Sequence, residues 1–433
     1  MSQTQTRRSS QVDLLHGPIL KSLLLFALPS MASRVFQQIY NTMDTLIVGY
    51  TLGDSSIAAM GACSSIYEMM TGFTFGVGNG LAIVTARCFG RQETDRMKKS
   101  VASCIVIGVA VTLVVTILAT IFMHPLLRLL KTPAKILEES YSYISILSIF
   151  LFVMFAYNLC SGLLRAIGNS FMPLVFLIFS SLVNIVLDLL FIRTFGMGVR
   201  GAAIATVIAQ GISAVLSLLI FLCRMRRYES RFDWFDRQEL HSMLQIAVPS
   251  VLQQSTVSIG MMIVQAVVNP FGTQALAGYS ATMRVENVFS LIFVSIGNAV
   301  SPYVSQNLGA KKIERIKKGY HAALVLDICF AVLAFIIIES LHTQISSLFL
   351  GKDGTALAYQ VSGNYMRWLG YFFIFMGIKM ATDGVLRGLG IMRPFLIANM
   401  VNLAIRLSVA LICAPRFGIA FVWLAVPAGW LAN

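Results

Sequence analysis

The chain has 433 residues, of which 57% are hydrophobic and only 12% are charged, and its mean hydropathy is +0.77. Soluble globular domains carry about 45–50% apolar and about 25% charged residues. The composition therefore excludes soluble, fibrous, disordered and disulfide-rich secreted proteins, and it predicts a chain embedded in a lipid bilayer. The formal net charge of +14 leaves nucleic-acid binding as an alternative until the basic residues are located.

Twelve mainly apolar runs are candidates for bilayer-spanning helices, which need roughly 20 residues each. In chain order they lie near residues 20–47, 55–82, 100–123, 140–160, 171–193, 201–223, 244–268, 280–303, 319–339, 362–384, 394–415 and 418–433. We therefore predict an all-α polytopic membrane protein with twelve transmembrane helices. The last run stops at Asn433 and is short for a span, so we expect the twelfth helix to be truncated.

The basic residues concentrate in alternate loops. If the N-terminus is inside, most of the 33 Lys and Arg residues fall in inner segments, such as Lys98–Lys99 and Lys311–Lys312. This bias predicts that both termini lie in the cytoplasm. The net charge then reports orientation, so we expect membrane lipids and no nucleic acid as neighbours.

The chain contains an internal repeat with an offset close to 220 residues. The segment at 86–99 resembles the segment at 305–318, and G-L-L-R-A-I-G at 162–168 resembles G-V-L-R-G-L-G at 384–390. At an offset of 218, Glu68 matches Glu286. Six helices per half give both halves the same orientation, so they are predicted to be parallel repeats.

The repeat predicts two six-helix lobes, residues 1–230 and 231–433, with the basic linker 224–243 between them. Such lobes form a V-shaped cleft, and rocking about the cleft would expose it to one side of the membrane and then to the other.

Polar residues form a stripe along the first predicted helix. Arg34, Gln37, Asn41 and Asp44 are spaced by three or four residues, which places them on one helical face, and Tyr40 flanks it. Such a stripe in an apolar helix points to a bundle interior or a water-filled cavity. Upstream, Pro29 removes a backbone hydrogen bond and is predicted to kink the helix.

Further oxygen donors occur in the fifth and sixth predicted helices. Asn184 and Asp188 are four residues apart, and so are Thr206 and Gln210. Together with Asp44, these carboxylates, the carboxamide and the hydroxyl suit a hard cation such as sodium, or a proton shared between carboxylates. We therefore predict a cation-coupling site made of Asp44, Asn184, Asp188 and Thr206.

The two acids of this site are absent from the second half. Repeat offsets pair Asp44 with Val264, and Asp188 with Val409 or Ala410. Structural ion pairs would more often be duplicated, so the asymmetry favours an ion site in the first half. The alternative is that both acids are tied to Arg34 or to the backbone.

The second half has polar residues of its own. Lys379 and Asp383 are spaced to pair along one helix, while Arg284, Glu286 and Arg406 are candidates for a second cluster. Some soft or polar side chains should line a substrate cleft, although many such residues merely face lipid. The candidates are Gln37, Tyr40, Asn41, Met69, Phe73, Tyr157, Asn158, Met261 and Asp383. No nucleotide-binding, zinc or nucleophile motif is present, so we predict neither an enzyme nor a cofactor.

Four segments resemble a known family over essentially the whole chain: N-T-M-D-T-L-I-V-G at 41–49, A-R-C-F-G-R at 86–91, G-L-L-R-A-I-G-N at 162–169 and V-N-I-V-L-D at 183–188. They are similar to the multidrug and toxic compound extrusion (MATE) transporters of bacterial type. The resemblance implies a monomeric sodium- or proton-coupled antiporter that exports cationic and amphipathic organic compounds.

The resemblance also implies roles for individual residues. Asp44, Asn184, Asp188 and Thr206 match the family's cation-binding cluster, and Pro29 matches a proline associated with bending of the first helix. Some members also use acids in the seventh and tenth helices. The seventh has none here, so a second cation site depends on Asp383. The alternatives are a lipid-linked precursor flippase of the same superfamily, which Arg34, Arg284 and Arg406 would suit, and a membrane-embedded enzyme.

Overall fold

The computed structural model describes residues 12–130, 132–225, 237–350 and 355–433, and every regular element among them is helical. The α-helices are α1 (Ile19–Leu52), α2 (Asp54–Arg91), α3 (Thr94–Leu129), α4 (Ala134–Ile149), α5 (Leu151–Ala166), α6 (Phe171–Asp188), α7 (Val199–Met225), α8 (Arg237–Val268), α9 (Thr273–Gly309), α10 (Ile313–Leu350), α11 (Ala356–Leu389), α12 (Met392–Ser408), α13 (Ala414–Phe417) and α14 (Ala420–Ala432). Short π-helical segments follow α6 at Leu189–Thr194 and α12 at Val409–Cys413.

The helices account for the twelve predicted spans. Within the described ranges, ten helical stretches are long and apolar enough to cross a bilayer, and the pair formed by α4 and α5 makes an eleventh. The twelfth predicted run corresponds to α14, an apolar helix of 13 residues. The prediction of an all-α polytopic membrane protein is therefore confirmed.

The fourth span is not the single helix predicted over 140–160. It starts at Ala134 and breaks at Phe150, where α4 and α5 meet at an angle of 49°. No proline or glycine marks this break. Phe150 leaves helical geometry with a ψ of 23°, while its amide still donates to the carbonyl of Ile146. Periodicity cannot detect such a bend because the apolar pattern continues through it.

The described residues divide into two compact units. The first contains the chain up to Gly17, Leu28–Val251 and Ser305–Lys311, and the second contains Pro18–Ala27, Leu252–Val304 and Lys312–Asn433. Each unit has an apolar core of its own. The predicted lobe boundary at 230/231 and most of the linker 224–243 fall in residues 226–236, outside the described residues, so the boundary stays a prediction.

Equivalent contacts occur in both halves. In the first, Arg165 Nη2 donates to Asn79 Oδ1 at 2.8 Å, and in the second Arg387 Nη2 donates to Asn298 Oδ1 at 3.2 Å. The arginines are 222 positions apart and the asparagines 219. A hydrogen bond reproduced at the repeat offset shows that the two halves share one helical packing, as the sequence repeat predicts.

A second pair of contacts gives the same offsets. Cys63 Sγ donates to the carbonyl of Ser140 at 3.3 Å, and Thr282 Oγ1 donates to the carbonyl of Ser362 at 3.1 Å. The offset between α2 and α9 is thus 219, which makes Tyr67 the counterpart of Glu286. The predicted match of Glu68 with Glu286 is wrong by one position: Glu68 is exposed, whereas Glu286 is buried. One residue rotates a helical side chain by about 100°, so the two glutamates occupy different faces.

One packing position is filled in opposite ways in the two halves. In the first half, Phe155 of α5 packs against Gly108 of α3, where a Cβ atom would collide with the ring. In the second, Gly377 of α11 is the counterpart of Phe155 at the offset of 222, and Asp327 of α10 fills the space, with its Cβ 2.7 Å from where a Cβ of Gly377 would lie. A carboxyl group therefore replaces a phenyl ring at an equivalent buried position.

Candidate functional site

Asp44 and Asp188 meet in the interior of the first unit. Asp44 belongs to a buried stripe of α1 that includes Tyr40, Ile47 and Val48, and its side chain is buried. Asp188 is the last residue of α6 and is fully buried, directly before a π-helical segment of the kind often found at functional sites. The two carboxyl groups lie within hydrogen-bonding reach of each other.

Each carboxyl group of this pair has an unsatisfied oxygen. Asp44 Oδ1 and Asp188 Oδ1 accept no hydrogen bond from the described residues, although both atoms are buried. Two ionised carboxylates at this separation repel each other, and an unpaired buried charge is costly in a membrane interior. A proton shared between them, or a small cation, would satisfy both oxygens.

Asn184 and Thr206 support the acid pair. Asn184 lies one turn before Asp188 on the buried stripe of α6, and the opposite face of α6 exposes Leu182 and Val186. With its amide oriented to satisfy both neighbours, Asn184 donates to Asp188 Oδ2 at 2.8 Å and accepts from the Thr206 backbone nitrogen at 3.2 Å. A half-turn of the amide would instead present its oxygen to the carboxylate side, as a sodium ligand requires.

Three tyrosines lie near the acids. Tyr40 donates to Thr206 Oγ1 at 3.1 Å, and Tyr67 is within hydrogen-bonding reach of Gln210. Tyr67 and Tyr143 both lie within electrostatic range of Asp44. Phenol groups can donate to an ionised carboxylate or be displaced by an ion, so they provide an adaptable polar shell.

A small cavity adjoins this site in the first unit. It is lined by Gln37, Tyr40, Tyr157, Leu177, Ser180, Ser181, Ala209 and Gln210. Three of these residues, Gln37, Tyr40 and Tyr157, were predicted to line a cleft. Because Tyr40 lines the cavity and also hydrogen-bonds Thr206, the cavity and the acid site share a wall.

The other predicted cleft residues of the first half lie elsewhere. Asn158 is buried between helices, where its amide donates to Thr74 Oγ1 and to the carbonyl of Met154, so hydrogen bonds within the bundle hold it in place. Met69 is 43% exposed on the outer surface of α2, and Phe73 is partly buried. Asn41, on α1, is also partly buried and is not among the residues that line the cavity.

Pro29, the predicted kink, and Arg34, part of the predicted polar stripe, both lie on α1. Pro29 lies within the continuous helix, and the Ser33 hydroxyl donates to its carbonyl at 2.8 Å. The guanidinium carbon of Arg34 lies 4.9 Å from the ring centroid of Phe75, a cation–π geometry.

In the second unit, Lys379 and Asp383 form the predicted pair. Lys379 Nζ donates to Asp383 Oδ2 at 2.6 Å and to Asn399 Oδ1 at 3.0 Å, and the Asn399 amide donates to Asp383 Oδ1 at 3.3 Å. All three side chains are buried. Both oxygens of Asp383 are thus engaged within the helix bundle, while Met261 of α8 is 36% exposed.

The residue types of the first-half site fit either a proton or a sodium ion. No group of three or more His, Cys, Asp or Glu side chains suitable for a metal ion occurs in the described part of the chain. The donors are two carboxyl groups, one carboxamide and one hydroxyl, all of them oxygen ligands that hard cations prefer. They would not hold a transition metal that requires nitrogen or sulfur.

A polytopic helical fold with two repeated halves and a buried acid pair in one of them defines a membrane transporter. The MatE family model matches residues 29–190 and 249–412. These matches cover most of the chain and fall once in each half, so the protein belongs to the MATE family of transporters.

Known proteins agree with this assignment. The chain is 28% identical over 392 residues to a probable multidrug resistance protein, YpnP, of Bacillus subtilis, covering 90% of this chain and 87% of the relative. It is 27% identical over 429 residues to the probable multidrug resistance protein YoeA of the same organism, covering 96% and 92%. A MOP superfamily transporter from Pyrococcus furiosus has the same fold, with a TM-score of 0.88 at 22% identity over 99% of this chain and 96% of that one.

The sequence analysis missed Tyr67 and Tyr143 at the acid site. Tyr67 directly precedes Glu68. A charged residue in a predicted span was selected as a candidate, whereas a tyrosine there is common and was not. Only the offset of 219, fixed by contacts, shows that Tyr67 stands opposite Glu286 in the repeat. Ser180 and Ser181 of the cavity were also missed, because serines are common in helix packing.

Proposed function

We propose that this protein exports cationic or amphipathic organic compounds in exchange for sodium ions or protons, as a monomer in the bacterial cytoplasmic membrane with both termini inside. The observation that carries the proposal is the buried pair of Asp44 and Asp188, whose facing carboxyl groups leave one oxygen each without a partner. The names of the relatives, which refer to multidrug resistance, support the substrate class.

The coupling follows from the electrostatics of the pair. When a cation binds from outside, it neutralises Asp44 and Asp188 and weakens the attraction of these acids for a positively charged compound. The compound is then released, and the lobes rock to face inward. A ligand can drive such a switch only if it binds the two states differently, and occupation of the acid pair supplies that difference.

Substitution of the acids tests this proposal. The measured quantity is the uptake of ethidium or norfloxacin by energised inside-out membrane vesicles. Asp44→Asn and Asp188→Asn should each abolish uptake, because neither variant keeps a pair of ionisable groups. Glu68→Gln is the matched control, since Glu68 is an exposed acid of α2 and should tolerate the change. Unchanged uptake by Asp44→Asn and Asp188→Asn would refute the proposal, and uptake of a lipid-linked sugar in place of the dyes would indicate a flippase.

A further inference from the structure

Asp327 of α10 is a buried carboxyl group in an otherwise apolar part of the second unit. The buried side of α10 around it carries no other side chain that can form a hydrogen bond; its residues there are Gly319, Ala323, Leu326, Ala331 and Ala334. Asp327 is fully buried, and neither Oδ1 nor Oδ2 has a hydrogen-bond partner among the described residues. Buried polar groups almost always have a partner, so this acid requires an explanation.

The neighbouring helix α11 approaches this acid closely. A Cβ atom on Gly377 would lie 2.7 Å from Asp327 Cβ, 3.3 Å from Asp327 Cγ and 3.3 Å from Cδ1 of Phe293 on α9. A residue larger than glycine would therefore displace its neighbours, because protein interiors are close-packed. The backbone of α11 and an apolar ring thus pack around the acid.

The charged and titratable side chains within two turns of Asp327, Phe293 or Gly377 have other partners or face outward. The buried or half-buried ones form three pairs, which are Glu286 with Tyr365, Tyr320 with Thr382, and Lys379 with Asp383. The exposed ones are His321, Cys329 and Tyr371. No ion pair to Asp327 occurs in the described ranges, so nothing there neutralises an ionised carboxylate.

The equivalent contact in the first half contains no acid. Gly108 of α3 is the counterpart of Asp327 at the offset of 219, at which the paired lysines at the start of α3 also match those of α10. Phe155 of α5 is the counterpart of Gly377 at 222, the offset of the arginines in the duplicated arginine–asparagine contact. Since a glycine and a phenyl ring fill this contact in the first half, the helix packing itself does not require a carboxyl group.

We propose that Asp327 is a proton-binding site of the second half, and that its carboxyl group releases the proton only when α10 and α11 separate at Gly377. An ionised carboxylate without a partner is strongly disfavoured in an apolar interior, so the packed helices hold the acid in its neutral form. When the helices separate, water reaches the carboxyl group, accepts the proton and hydrates the carboxylate.

The proton is therefore a ligand that binds the packed state better than the separated state. Such a ligand shifts the equilibrium between the two states, so a rise in pH favours separation of α10 from α11. The inference goes beyond the proposed function, because proton binding at Asp327 does not depend on the acid pair of the first half.

Infrared spectroscopy of the full chain in nanodiscs tests for the bound proton. A protonated carboxyl group without hydrogen bonds absorbs at a higher frequency than a hydrogen-bonded one. Of the other buried acids, Asp383 and Glu286 accept hydrogen bonds, and Asp44 and Asp188 lie within hydrogen-bonding reach of each other. At neutral pH we expect a carbonyl band at the high-frequency end of the carboxylic acid range that Asp327→Asn removes.

Asp44→Asn/Asp188→Asn is the matched control, because it removes two other buried acids and should leave the band unchanged. Absence of the band from the unmodified protein, its survival in Asp327→Asn or its loss in the control would overturn the inference. Since no readout involves transport, a failure of the proposed function leaves this result unaffected. Should Asp327→Asn not fold, Asp327→Gly/Gly377→Phe, which copies the first-half pair, takes its place.

Amide hydrogen exchange of residues 370–384 tests whether proton release requires separation of the helices. The exchange rate of the unmodified protein is divided by that of Asp327→Asn, or of the double variant, at each pH. This ratio should rise about tenfold per pH unit between about pH 5 and pH 7, because separation releases one proton. A ratio that does not change with pH would overturn the proposed coupling.

Discussion

Tyr40 of α1 donates a hydrogen bond of 3.1 Å from its phenol to the hydroxyl of Thr206 on α7. This bond joins the helix that carries Asp44 to the helix that follows Asp188, and Tyr40 also lines the cavity that contains Gln37 and Tyr157. It is a direct structural link between the proposed ion site and this small cavity.

Loss of this link should weaken transport without removing the ion site. Tyr40→Phe and Thr206→Val should each reduce ethidium efflux severalfold, since a buried hydrogen bond contributes about 1 kcal/mol. The double variant should be no worse than the poorer single variant, because both remove the same bond. Efflux rates in a double-mutant cycle measure this; fully additive losses would show that the two residues act separately.

We expect the buried pair of Lys379 and Asp383 to stabilise the folded protein. Lys379→Met leaves the Asp383 carboxylate unpaired and should lower the free energy of unfolding by about 3–5 kcal/mol. Lys379→Met/Asp383→Leu removes both charges and should recover most of that loss. Thermal unfolding in detergent measures both, and a double variant as unstable as the single one would contradict the assignment.

Asp327 is a buried acid that, unlike Asp383, should destabilise the folded protein. It is fully buried opposite Gly377, and neither of its carboxyl oxygens has a hydrogen-bond partner in the described chain. Because an unsatisfied buried polar group costs about 1–3 kcal/mol, Asp327→Leu should raise Tm. Asp327→Asn keeps a polar group in place and serves as the control, with a smaller gain. A lower Tm for Asp327→Leu would show that the carboxyl group has a stabilising partner.

The sequence predicted more of the fold than of the site. Apolar runs give the spans, and the repeat gives their pairing, because a bilayer leaves few alternatives for a helix. The break at Phe150 was not predictable, since nothing in the local residue types differs from the flanking turns. At the site, the spacing of Asn184 and Asp188 predicts a shared face, and scarcity of charge singles out Asp44.

What the sequence could not supply is distance between helices. Tyr143 of α4 lies within electrostatic range of Asp44 because of the packing of α4 in the first unit, and no spacing rule connects these residues. Asn158 illustrates the converse error: a polar residue in a span was predicted to line a cleft, but the bundle itself satisfies its amide. A polar residue in a predicted span therefore indicates that its side chain needs a hydrogen-bonding partner. It does not indicate which residue that partner is.

Asn184 offers a way to distinguish the two coupling ions. Asn184→Ala removes the carboxamide that contacts Asp188 but leaves both carboxyl groups. If sodium is the coupling ion, the concentration of Na+ needed for half-maximal efflux should rise at least tenfold, because a ligand is lost. If a proton is shared between the acids, efflux driven by a pH gradient should persist. Loss of both would mean that Asn184 supports folding of the site, which thermal unfolding would reveal.

Substrate-driven cation flux through purified protein in proteoliposomes tests the central claim most directly. Vesicles are loaded with Na+ and a pH indicator, and an organic cation is supplied on one side while ion movement is recorded. We predict that the substrate drives counterflow of one of the two cations in the unmodified protein, and that Asp44→Asn and Asp188→Asn abolish it while Glu68→Gln does not. Undiminished counterflow in both acid variants would contradict the assignment of the buried pair as the coupling site.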